Sequence, residues 1–138
     1  MRKLYILVAA VLVLFLSCKK FIQNQEEKAV EADVTNGLWY VSGYEQNDSN
    51  ITASFSGYLF KFDDNNTVTA IYNSDSVQGD WAVDISALTI TADFAGATVP
   101  LVNLNETWLI TDSYSDSVSA TSTDTIRHTS NILQLKKQ

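Results

Sequence analysis

The residues of this 138-residue chain that could do chemistry are few: one cysteine, one histidine, and a scatter of serines and carboxylates. Cys18 stands directly after an apolar run, Leu4 to Leu16, and directly before Lys19-Lys20. With no second cysteine there is no intrachain disulfide, although an exported protein would be allowed one. A buried core thiol is the ordinary alternative, but a place at the edge of an apolar run beside two lysines argues against it. His128 would be the base of any Ser-His-Asp arrangement, which needs the imidazole oriented by a carboxylate and close to a hydroxyl. Asp124 lies shortly before it and serines are abundant, so the match has little specificity and His128 reads as a surface loop residue. Asp63-Asp64-Asn65-Asn66 offers oxygens for calcium, yet lacks the spaced ligands and central glycine of a calcium loop. Hairpin chemistry explains that stretch better. No catalytic set, metal or cofactor is therefore expected, and the chain reads as non-enzymatic.

Cys18 takes its meaning from what precedes it. Arg2 and Lys3, then the apolar run, then Ser17 form the layout of a secretory signal. A retained membrane helix is the alternative, but the run is shorter than the roughly 20 apolar residues that cross a bilayer. The Leu14-Phe15-Leu16-Ser17-Cys18 ending resembles a bacterial lipoprotein lipobox. That resemblance implies that residues 1–17 are removed and that the thiol of Cys18 is acylated as the first mature residue. Two or three acyl chains hold a protein stably on a membrane, where one gives only marginal binding. The expected location is the cell envelope, lipid-anchored, with the outer membrane favoured and the periplasmic or surface face left open.

The net charge is −7, and removal of Arg2 and Lys3 with the signal makes the mature chain more acidic still. Nucleic acid and anionic headgroups demand a basic surface, so neither is expected as a partner. The acids are scattered, as solubility alone would require. Residues 18–36 read as a tether: charge is high and apolar periodicity low, with a short helical turn possible around residues 25–32.

From Gly37 to the end, residues 37–138, the pattern has period two. Trp39 and Val41, then Tyr58, Phe60 and Phe62, then Val68, Ala70 and Tyr72 each alternate with polar or oppositely facing residues. Trp81, Val83 and Ile85 follow, then Leu88, Ile90 and Ala92, then Trp108 and Ile110, Val118 and Ala120, and Leu133 and Leu135. These roughly eight or nine runs are strand-like, with one apolar face each. Asp63–Asn66, Asn73–Ser76, Ser115-Asp116 and Gly96 supply tight turns. The expected fold is all-β: an antiparallel up-and-down meander, with no amphipathic helix, that closes on itself to bury its apolar face and remove its edges. A two-sheet sandwich is the competing arrangement.

Gly37-Leu38-Trp39 resembles the Gly-x-Trp that opens lipocalins. The ordered set of Phe55–Phe62, Asp63–Ala70, Gly79-Asp80-Trp81 and Leu104–Trp108 is similar to lipocalin-like lipoproteins of Bacteroidetes-type bacteria. The resemblance covers about residues 37–137. It implies a small lipocalin-like barrel in which Trp39 plugs the closed end and an arginine before the last strand, here Arg127, packs over it. Thr111–Tyr114 is loosely similar to part of a second lipocalin motif. Asp75-Ser76-Val77, Asp116-Ser117-Val118 and Asp124-Thr125-Ile126 resemble sites that such bacteria O-glycosylate.

Two readings compete for the aromatics. Tyr58, Phe60, Phe62, Tyr72, Trp81 and Trp108 would line a pocket for a small apolar or amphipathic ligand at the open end, or would fill the core. A chain this short with many large rings argues for filling. The first functional expectation is thus a lipid-anchored binding module. The alternative is a non-enzymatic interaction protein with a solid core, such as an envelope accessory subunit or a hydrolase inhibitor.

Overall fold

A computed structural model describes residues 28–124 and 128–138. Residues 28–35 form a helix, α1, in which Ala29, Glu31 and Ala32 are strong helix formers. Val30 and Val34 share one face of it. The Thr35 hydroxyl donates to the carbonyl of Glu31 at 2.8 Å. Gly37, with φ of +90°, turns the chain out of the helix into the first strand. Nine strands follow: β1 (Trp39–Gln46), β2 (Ser49–Asn50), β3 (Tyr58–Phe62), β4 (Thr67–Tyr72), β5 (Asp75–Asp84), β6 (Thr89–Asp93), β7 (Thr107–Tyr114), β8 (Ser117–Asp124) and β9 (Thr129–Lys137). Two short 3-10 helices interrupt them, η1 (Thr52–Phe55) and η2 (Leu101–Leu104).

All pairings are antiparallel; β3 to β9 pair in sequence order, β1 pairs with β3 and with β9, and so eight strands close into a barrel with β2 hooked onto the end of β1. The expected meander and closure are observed; the sandwich is not. Period two carries the inner face. Phe60↔Ala70, Phe62↔Val68, Ala120↔Leu133 and Val118↔Leu135 are paired residues that all point inward. In β1 the alternation slips. An irregularity between Val41 and Gly43 inserts Ser42, so Tyr44 rather than Gly43 continues the inner face after Trp39 and Val41.

The turns divide the barrel into two ends. One carries the β3–β4, β5–β6 and β7–β8 turns and is covered by α1. The other carries the two long connections, 47–57 with η1 and 94–106 with η2. Asn66, Asn73 and Gly96 adopt positive φ in turns, as residues tolerant of that conformation do. Two expectations need correction. Ile85 and Leu88 lie in the β5–β6 turn rather than on strands, because Asp84 caps that turn with its carboxylate. The segment before Gly37 does not run as a spacer up to the barrel: α1 packs Val34 into the core, where it is buried, with Val30 against it.

Candidate binding cleft

The three tryptophans are structural. Each is buried, and each indole N–H donates to a backbone carbonyl of a segment that caps the barrel. Trp39 reaches Val34 of α1 at 2.8 Å, Trp81 reaches Asp63 of the β3–β4 turn at 2.9 Å, and Trp108 reaches Leu104 of η2 at 3.1 Å. A buried indole needs such a partner, so core and caps are tied by the same side chains. Phe62 packs edge-on against Trp81 with centroids 5.3 Å apart.

The end with the long connections is closed. Phe55, Phe94, Leu101 and Leu104 fold inward from them and are buried. Tyr44, wholly buried, stacks on Phe55 at 5.3 Å, meets Trp108 edge-on at 5.8 Å and donates its hydroxyl to the carbonyl of Asn103 at 2.6 Å. Burial, and secondarily the charge of Glu106, pushes that hydroxyl up to about 12. Asn105 replaces a strand residue there. Its side chain accepts from the Phe94 N–H at 2.6 Å and donates to the Phe94 carbonyl at 3.2 Å.

What space remains inside is small. Phe60, Phe62 and Trp108 line a cavity of about 40 Å³, and Trp39 and Phe62 touch another of about 20 Å³. Such volumes admit a few waters at most, whereas small-molecule sites run to several hundred Å³. Of the six aromatics singled out for ligand contact, Phe60, Phe62, Trp81 and Trp108 are therefore core. Tyr58 and Tyr72 sit together at the rim, paired in register with ring centroids 4.8 Å apart, and Tyr72 is 42% exposed.

The α1-covered end is different. A cleft of about 210 Å³ opens between α1, the β5–β6 turn and the β7–β8 hairpin. Val30, Trp39, Ile85, Leu88, Ile110 and Val118 form its apolar walls. Asp33, Ser113 and Ser115 are among its polar lining.

Leu88 is the unusual residue of that wall. Among the described residues six non-glycine residues have positive φ: Asn47, Asp48, Asn66, Asn73 and His128 are of types that tolerate it, and Leu88, at φ of 54°, is not. The left-handed conformation costs a residue with a Cβ roughly 1–2 kcal/mol. The turn holds it there. The Ser86 hydroxyl and Ala87 N–H both donate to the Asp84 carboxylate, at 2.7 and 3.1 Å, and this lowers the Asp84 pKa, the Ser86 bond contributing most. The Leu88 carbonyl then accepts from Ile110 N–H at 2.8 Å. The result is an apolar side chain 54% exposed at the cleft edge.

Gly37 and Trp39 lie at the α1-covered end of the barrel, where the chain passes from α1 into β1. The cation over the Trp39 ring is Lys137, 5.2 Å from its centroid. Arg127 and Cys18 lie outside the described residues. Asp124 and Thr129, which flank the segment holding Arg127, pair at the end of the β8–β9 ladder away from Trp39. His128 is exposed, and no cluster of metal-ligating residues occurs among the described residues. Sequence reasoning missed Tyr44, hidden by the slip in β1, and missed Val30, Asp33 and Leu88 as neighbours. The only sequence signal for Leu88 was its place, a leucine just after Ser86-Ala87 where glycine or asparagine would suit a turn.

No family model and no curated protein matches this chain. A solved structure does: a DUF4847 family protein from Bacteroides vulgatus, 16% identical, with a TM-score of 0.55, covering 79% of this chain and 99% of that one. At that identity the likeness is one of fold, and the chain is a β-barrel similar to that of the Bacteroides protein.

Proposed function

We propose that this is a non-enzymatic, lipid-anchored binding module of a bacterial envelope, tethered through acylated Cys18 at the outer membrane. It holds a small apolar or amphipathic molecule, in the manner of the lipocalin-like lipoproteins it resembles but not in the barrel interior. One observation carries the reading. The interior is filled and its loop end plugged, while an apolar cleft of about 210 Å³ remains beside α1. A concave, mainly apolar site with a few polar groups is the usual form of a small-molecule site.

Titration with a neutral naphthylamine dye, whose emission rises in apolar surroundings, tests this. Saturable enhancement at micromolar protein is expected; its absence counts against the reading. The filled core and the exposed Tyr72, Val77 and Val99 favour a second reading, a protein-interaction module. That reading expects a stoichiometric protein partner to be recovered from solubilised envelope.

A further inference from the structure

We propose that the cleft selects amphipathic cations: a short alkyl or aryl tail packs on Leu88, Ile110 and Trp39 while an ammonium head lies against Asp33. This deepens the small-molecule reading above and rests on it. Charge is the first argument. Among the described residues Asp33 is the ionisable carboxylate of the cleft lining, no lysine or arginine lines it, and Asp33 makes no ion pair. The whole chain is anionic. An anionic amphiphile would bring its head to a like charge, whereas an ammonium finds a partner and the field of the protein draws it in.

Size is the second. A dry cavity of about 150 Å³ admits a six-carbon ring, so about 210 Å³ suits a tail of that order rather than a long acyl chain. Leu88 is the third. The turn around it is built by Asp84, Ser86 and Ala87 and would form with asparagine or glycine at position 88 at lower conformational cost. What leucine adds is its side chain at the cleft edge.

Calorimetric titration of the full chain in lipid nanodiscs, with empty discs as the blank, tests this using octylammonium, 1-octanol and octanoate. Octylammonium should bind most tightly and octanoate most weakly. Asp33→Asn should weaken octylammonium by about 2–5-fold, the scale of an exposed ion pair, and leave octanol unchanged. Leu88→Asn should weaken octylammonium and octanol alike by roughly tenfold, the loss of one packed aliphatic side chain. Its melting temperature should hold or rise, which separates lost binding from lost folding. Octanoate or octanol binding as well as octylammonium overturns the proposal, as does unchanged affinity in Leu88→Asn; dye binding would then leave the broader reading standing. No binding of dye or amine overturns both.

Discussion

Tyr44 joins three elements through one ring and one hydroxyl: its own strand, η1 through Phe55, and the 94–106 connection through Asn103. Its proton is the price of that position. An unfolded chain ionises a tyrosine near pH 10, while the folded chain keeps this proton to about 12. The folded pKa is the higher one, so the stability linked to Tyr44 is complete below about pH 10 and is lost as pH climbs through 12. Urea denaturation across that interval should show the fall, and Tyr44→Phe should flatten it while costing about 0.5–1.5 kcal/mol at neutral pH. An equal alkaline fall in both chains would contradict the assignment. Gly79 is needed for a different reason. A Cβ there would lie 2.6 Å from the Asp93 carbonyl oxygen and 2.8 Å from the Phe94 ring. Gly79→Ala should therefore lower stability by about 1–3 kcal/mol in thermal unfolding, because backbone on one side cannot yield.

At the scale of elements, the barrel is closed unevenly. β1 follows β9 from Trp39↔Lys137 to Gln46↔Asn131, and β8 follows β9 over eight residue pairs. β1 meets β3 at Trp39↔Phe60 alone, and β6 meets β7 only over Thr89–Thr91. Side chains and connections take over beyond these points. Thr52 accepts from the Tyr44 N–H at 2.9 Å, and Asn105 clamps Phe94. Local opening follows the density of buried ladder bonds. Amide exchange should accordingly be fastest along the β1–β3 and β6–β7 seams and slowest in β8 and β9. Uniform protection around the barrel would show that the loops seal those seams as well as strands do. The helix α1 belongs to this scale too. Its composition reads as tether, and only Val30 and Val34 on one face betray that it packs.

For the whole molecule, α1 and the barrel pack as one unit: α1 precedes β1, buries Val34 in the core and lends Val30 and Asp33 to the cleft. Mass spectrometry of the mature protein should find Cys18 as the first residue with acyl chains attached, and Cys18→Ala should abolish labelling by radioactive palmitate. An unmodified thiol would remove the anchor from this account, while the barrel would stand. The neighbour from Bacteroides vulgatus supports the barrel alone.

The alternation of Phe60, Phe62, Val68, Ala70, Leu133 and Leu135 was enough to read the strands, because side chains on a strand must take opposite faces. Asp63–Asn66 and Asn73 were enough to read the turns, because those residue types carry their own backbone preference. Whether the barrel is hollow was not written at that scale. It depends on Phe55, Phe94, Leu101 and Leu104 returning from long connections to plug one end, and on a one-residue slip that turns Tyr44 inward. Nor could any pattern join Asp33 to Leu88, since helix and turn meet only once the sheet has closed. Periodicity is a property of neighbours along the chain; a cavity is a property of neighbours in space, and only the folded packing decides it.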